Sequence, residues 1–315
     1  MNDEFEKEFQ AALRHYGLHP ESIAPVAVDS SYAKVFRVRA AGVDYAARVR
    51  HPLATPAQVC FAAKWGLAMR DEVPAPMGLL PGRETPRVQG RCVDVAPWID
   101  HEHTRGGEMP PEAWVQVGYW LGCLHRLGLP MTHEAPVDLP YGNYPSNTLV
   151  THWLNLARQE TPSCYRRELQ EAEDLLVRAR EFLAPRESFL PRGVVHGDLH
   201  FWNVLYRQDR AVAIIDLDFL QQGYLLADLG YASIWLLAWQ RERDGVWRDI
   251  QSRYVEAYSR GRHTPINDAE RECLPWMGVV YSVFFFLQNI LRTPQDESKW
   301  RPDLEQARNH FRGLT

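Results

Sequence analysis

A chain of 315 residues, 45% apolar and 24% charged, is long enough to bury two cores and has the composition of an ordinary globular protein. Its formal net charge of −5 supplies none of the basic surface that nucleic acid or an anionic membrane calls for, so neither is an expected partner. Five scattered cysteines without a CxxC pair argue against a zinc site and read as reduced thiols; with a charged, amphipathic start in place of a signal peptide, the expected location is the cytoplasm.

In chain order, residues 3–18 put Phe5, Phe9, Ala12 and Leu13 on one helical face. From Ile23 the pattern turns to strands. Val35, Arg37 and Arg39 alternate with Phe36, Val38 and Ala40, Ala41-Gly42 turns the chain, and Tyr45 to Val49 returns as the second arm of a hairpin. Residues 56–71 form an expected helix, stopped by Pro74 and Pro76, and Arg91 to Trp98 reads as a strand. The polar stretch Asp100 to Pro111 has linker composition. Beyond it, Trp114, Val117, Trp120, Leu121 and Leu124 keep a helical period, and a further helix is expected from about Cys164 to Phe182. Residues 193–219 revert to short strands and loops, and the chain from about Leu226 is helical. The most apolar run, Gly278 to Leu291, is too short to cross a bilayer and is expected as a buried helix. This order predicts an α+β fold of two lobes: a small antiparallel-sheet lobe over 1–99, a linker over 100–111, and a larger helical lobe over 112–315 that carries a short hairpin insert.

The chemistry concentrates in that insert. The segment Val194-Val195-His196-Gly197-Asp198-Leu199-His200-Phe201-Trp202-Asn203-Val204-Leu205 is followed by Ile214-Ile215-Asp216-Leu217-Asp218. Here the chain resembles the aminoglycoside phosphotransferase and choline kinase superfamily, which has a protein-kinase-like fold, a catalytic loop of the form HGDLHxxNxL, and an IDxD or IDxE motif after it. Protein kinases share the spacing from Asp198 to Asn203 and from Asn203 to Asp216. The resemblance implies transfer of a phosphoryl group from ATP, or from GTP, to a small-molecule hydroxyl, with magnesium as cofactor. It gives Asp198 the role of orienting the acceptor hydroxyl, and Asn203 and Asp216 the role of metal ligands. An amide oxygen and a carboxylate are the hard donors that magnesium takes, and phosphoryl transfer asks the protein mainly for positioning and charge neutralisation. His196 is expected to brace the loop and His200 to approach the phosphates. Asp228, in Ala227-Asp228-Leu229-Gly230, is expected to bond the catalytic loop.

The same resemblance places the nucleotide against the small lobe. Ser30 and Ser31, in the turn Asp29 to Lys34, and Arg48, on the third strand, are the expected phosphate contacts. The helix over 56–71 should offer Arg48 an acidic partner, but residues 56–69 contain no acid, and Gln58 is the one polar candidate on its early turn. Arg50 reads as part of a solvated strand face.

The acceptor is expected to meet Asp218, Gln221, Tyr224 and Trp235. Aminoglycosides and other amino-sugar natural products rank first, homoserine-like amino alcohols second, choline or ethanolamine third. Eleven tryptophans and thirteen tyrosines suit a cationic amine. The acids from Glu168 to Asp174 alternate with arginines and read as a solvated helix face. A pseudokinase that binds without turnover is the alternative, grounded on the missing helix acid. Oligomeric state is left open.

Overall fold

The computed structural model describes residues 3–26, 33–75, 78–80, 84–102, 110–139, 142–240 and 249–314. Helix α1 (Asp3–His15) buries Phe5, Phe9, Ala12 and Leu13 and leaves its charged face to solvent. These side chains close one face of an antiparallel sheet built from β1 (Ser22–Val26), β2 (Lys34–Ala40), β3 (Val43–Val49), β4 (Arg87–Val88) and β5 (Arg91–Pro97), in the order β1-β2-β3-β5-β4. Period-two alternation decides the faces: Phe36, Val38 and Ala40 point inward, while Arg37 and Arg39 point out and bond Asp44. Ala41 and Gly42 both adopt positive φ, as a two-residue hairpin turn requires.

Helix α2 (Pro56–Met69) begins with a reciprocal cap. Thr55 Oγ1 accepts from the Gln58 backbone, and Gln58 Oε1 accepts from the Thr55 backbone at 2.6 Å. Its Phe61, Trp65 and Met69 leave the sheet core and join the core of the larger lobe, with Trp114, Val117 and Leu121.

That larger lobe holds α3 (Pro111–Gly128), α4 (Asn147–Glu160), α5 (Arg166–Leu183), α6 (Leu225–Gln240), α7 (Ile250–Arg262), α8 (Asp268–Arg292) and α9 (Glu297–Arg312). Two short antiparallel ribbons sit among them. One pairs β6 (Arg192–Val195) with β9 (Gln221–Tyr224); the other pairs β7 (Val204–Arg207) with β8 (Arg210–Ile214). Helices α3 and α7 cross so closely that a Cβ on Gly122 would stand 2.1 Å from the Tyr258 carbonyl oxygen, and one on Gly261 would stand 2.0 Å from that of Tyr119. The apolar run around Phe284 lies inside α8, a helix of 25 residues that packs against α4, α5, α6 and α9. By length and composition α8 could cross a membrane, but 67% of its most apolar window is buried within the fold. Helix α4 has no counterpart among the sequence expectations. The two-lobed architecture, a small antiparallel sheet and a larger helical lobe, is the protein-kinase-like fold.

Candidate active site

The loop between β6 and β7 carries the catalytic candidates, and its shape follows from a few local demands. Gly197 has φ of +78°, and a Cβ there would stand 2.7 Å from the Phe219 carbonyl oxygen, so glycine is required on both counts. The backbone N–H groups of His196 and Gly197 donate to the carboxylate of Asp228 at 2.6 and 2.9 Å. Asp228, on the first turn of α6, is fully buried and also bonds His125 of α3 at 3.0 Å, which in turn bonds the Tyr258 hydroxyl. The bonding expected of Asp228 is present. His196 braces the loop from inside: its Nδ1 accepts from the Asp198 backbone and its Nε2 donates to the Ile215 carbonyl at 3.1 Å. Burial holds its pKa below the ordinary histidine value, so the ring stays neutral.

Asp198 is buried at 6% exposure, and its oxygens are well supplied with donors. Asn143 Nδ2 and the Tyr231 hydroxyl donate to Oδ1 at 2.7 and 2.6 Å, Asn203 Nδ2 donates to Oδ2 at 3.0 Å, and His200 Nε2 lies 3.5 Å from Oδ2. Burial by itself would raise the carboxyl, but His200 first, then Tyr231 and Asn143, outweigh it and hold Asp198 below the usual carboxylate range. It is therefore an ionised acceptor at neutral pH.

Asn203 spends its amide nitrogen on Asp198, which turns its Oδ1 away from that carboxylate. The Asn203 carbonyl accepts from the Ile215 backbone at 2.9 Å, beside the Val204–Ile214 pair of the β7–β8 ribbon. That bond brings Asp216 next to Asn203. Asp216 itself adopts a left-handed conformation, φ 63° and ψ 64°, a state that aspartate tolerates and that recurs at functional sites. Burial first and the Asp218 charge second push its pKa up to about 7. One amide oxygen and one carboxylate, both hard donors, suit magnesium completed by phosphates and water.

Across the cleft stands Arg48. It bonds Asp94 through two nitrogens, at 2.6 and 3.2 Å, and lies 3.4 Å from Asp216 and 3.1 Å from Asp218. Burial opposes its charge, but Asp218 and Asp94 more than restore it. Gln58 is spent on the α2 cap, so the partner of Arg48 comes from β5 and not from a helix. Arg50 is a correction to the solvated-face reading: it is 1% exposed, with Asp94 at 3.4 Å and Asp218 at 3.0 Å.

The acceptor candidates separate. Trp235 of α6 lies with the catalytic loop, its ring 5.3 Å from His200 and 5.1 Å, edge to face, from Trp202. Trp202 is 55% exposed. His200, expected near the phosphates, turns one ring nitrogen to Asp198 and takes the Trp202 backbone N–H on the other. Asp218 leaves the acceptor side altogether, because its carboxylate closes on Arg48 and Arg50. Gln221 is buried and accepts from the Leu139 backbone at 3.3 Å. Tyr224 lies at the far end of β9, three pairs from Gln221 and so roughly 10 Å along the ribbon. There it walls a separate cavity of about 90 Å³ with Tyr144, Leu176 and Arg180. Two of the α5 acids pair with other helices, Glu171 with Arg308 and Glu173 with Arg158, while Asp174 stays exposed and bonds Gln170 of its own helix. Ser30 and Ser31 lie outside the described residues.

Three contributors had no reading in the sequence: Asp94, Asn143 and Tyr231. Tyr231 had a usable signal, since it follows Asp228 by one helical turn and must share its face. Asn143 had none, because nothing local ties it to Asp198.

The family model described as the phosphotransferase enzyme family matches residues 22–266. The chain belongs to this family. Among curated relatives, homoserine kinase from Agrobacterium fabrum (strain C58 / ATCC 33970) is 35% identical over 109 residues, covering 33% of this chain and 32% of its own length. The chain thus matches about a third of that relative. Among solved structures, an amicoumacin kinase superposes with a TM-score of 0.66 at 15% identity, covering 98% of this chain and 96% of its own. A microcompartment-associated aminopropanol kinase also reaches 0.66, at 17% identity, with coverage of 97% and 95%.

Proposed function

We propose that this member of the phosphotransferase enzyme family moves the γ-phosphate of ATP to the hydroxyl of a small, amine-bearing alcohol of homoserine-like size. The observation that carries the reading is Asp198, a buried ionised carboxylate held, among the described residues, by the side chains of Asn143, Tyr231, Asn203 and His200, on the loop that leads to Asn203. Bound magnesium would neutralise charge on the transferring phosphate, with Asn203 and Asp216 as its protein ligands. Arg48 is the cation on the phosphate side, and its charge persists at any working pH.

Asp198 accepts the hydrogen bond of the attacking hydroxyl and aims its oxygen. A carboxyl held below its ordinary pKa is a weak base, so the proton reaches Asp198 late, as the new O–P bond makes the hydroxyl acidic. The Tyr231 hydroxyl stays protonated, because burial and the neighbouring Asp198 charge both raise its pKa, and it remains a fixed donor. Trp202 and Trp235 border the acceptor side with rings that attract an ammonium group. Aminoglycoside-like acceptors rank first on sequence alone; the homoserine kinase relatives move a smaller amino alcohol ahead of them. The inactive alternative rested on the missing helix acid; the bond from Arg48 to Asp94 supports the active reading over it.

The test is release of ADP by the purified protein with magnesium-ATP and a panel of homoserine, 1-amino-2-propanol, ethanolamine, choline and kanamycin. Turnover with a small amino alcohol, absent in Asp198→Asn, supports the proposal. Turnover with kanamycin alone returns the acceptor to the aminoglycosides. Binding of neither ATP nor GTP sinks the kinase reading.

A further inference from the structure

We propose that Asp94 is the positioning residue that aims Arg48 at the nucleotide phosphates, and that this aim is set by sheet register and is independent of helix α2. The inference rests on the phosphotransferase reading above and concerns how its cation is held.

Arg48 of β3 and Asp94 of β5 are directly paired across adjacent strands. Nε and Nη2 of the guanidinium meet Oδ1 and Oδ2 of the carboxylate, the two-pronged match that fixes a guanidinium plane. The remaining nitrogen, Nη1, points into the cleft, 3.4 Å from Asp216. Behind this pair, Arg50 is two residues along the same strand face. Its buried guanidinium spans Asp94 and Asp218, so the small-lobe carboxylate is itself held on two sides.

Helix α2 takes no part. Its residues 56–69 carry no acid, its Gln58 is consumed in the cap with Thr55, and its Phe61, Trp65 and Met69 are anchored in the larger lobe. In kinases whose basic residue pairs with a glutamate on the corresponding helix, the position of that helix controls whether the pair forms. A cross-strand pair does not depend on a helix position, because the β3–β5 ladder holds the two backbones in register. The phosphate-facing arginine here is assembled whenever the sheet is.

Among the described residues five charges meet in this cluster: Arg48 and Arg50 against Asp94, Asp216 and Asp218. Without Asp94, Arg48 has two carboxylates left among the described residues, both on the larger lobe. It would turn onto them and away from the phosphates.

The test is calorimetric binding of magnesium-AMP-PNP to the full chain. Asp94→Asn is expected to weaken binding by about tenfold or more, the equivalent of about 1.4 kcal/mol. Asp94→Glu should recover part of the loss. Adding Asp94→Asn to Arg48→Met should cost nothing further, because Asp94 acts through Arg48. In turnover, KM for ATP should rise and KM for the acceptor stay put. Should Asp94→Asn fail to fold, because Arg50 is left buried beside one acid, Asp94→Asn/Arg50→Met removes both charges and allows the same comparison. Wild-type affinity in a folded Asp94 variant, or a loss that adds in full to that of Arg48→Met, overturns the proposal. Failure of the wild type to bind any magnesium-nucleotide removes the phosphotransferase reading itself, and this one with it.

Discussion

Arg48 and Asp216 are 168 residues apart in the chain, yet Arg48 Nη1 lies 3.4 Å from Asp216 Oδ1 and joins the lobes across the cleft. The contact makes Asp216 answerable to both lobes. Its carboxyl, pushed up to about 7 by burial and by Asp218, must be ionised to hold a cation. Magnesium-ATP should therefore raise the melting temperature of the wild type more at pH 8 than at pH 6, since a ligand that binds only the native state stabilises it by mass action. Asp216→Ala should lose the magnesium-dependent part at both pH values. Equal stabilisation at the two pH values would show that the raised pKa does not govern the metal site.

Trp202 keeps more than half its surface in solvent while its edge meets Trp235. An exposed indole against His200, the ring that bonds the proposed catalytic Asp198, is expected to contact the acceptor. Trp202→Ala should raise KM for the acceptor by about two- to fivefold, the range of about 0.5–1 kcal/mol for a cation–ring contact at an exposed site, and leave KM for ATP unchanged. Trp202→Phe should recover part of it. An unchanged acceptor KM in Trp202→Ala assigns the ring to packing alone.

Asp228 gathers the His196 and Gly197 backbone and the His125 ring on one buried carboxylate. An amide there must present an N–H group to one of three donors. Asp228→Asn is therefore expected to destabilise the fold by roughly 1–3 kcal/mol. It should also lower kcat by about a hundredfold, through misplacement of Asp198. Urea unfolding and steady-state turnover read the two effects separately; full activity in a folded variant would mean that the loop keeps its shape without Asp228.

A pH effect remote from the site is expected at Asp303 on α9. Its pKa is raised to about 6 by burial, against the opposing bond from Asn289 at 2.8 Å. A folded-state pKa above the unfolded value of 3.8 favours the native state fully only below about pH 4, and that contribution is lost as pH rises through 6. Asp303→Asn should gain stability relative to wild type between pH 5 and pH 8. A difference that stays flat over this interval refutes the assignment.

The legible part of the site was local. Asp198, Asn203 and Asp216 lie on one loop and one ribbon, so their spacing carried their geometry. The less legible parts were those where packing decides. Helix α4 begins Asn147-Thr148-Leu149-Val150-Thr151, in which all but Leu149 are weak helix formers, and burial of Leu149, Val150 and Leu154 holds it in place. Arg50 alternates like an exposed strand residue, and only the closing of the larger lobe over it, with Asp218, makes it buried. Gln58 looked free to pair with Arg48, but the end of a helix claims its side chain for the cap.

By itself the sequence determined the family, the two-lobed order and the candidate trio Asp198, Asn203 and Asp216, because these rest on short-range spacing and on the period of apolar residues. Only the tertiary structure decided that Asp94 answers Arg48, that Asn143 and Tyr231 hold Asp198, and that Tyr224 faces a cavity of its own. Strand register and helix packing join residues that no local pattern connects, and a carboxylate's partner is whichever group the fold brings within about 3 Å of it.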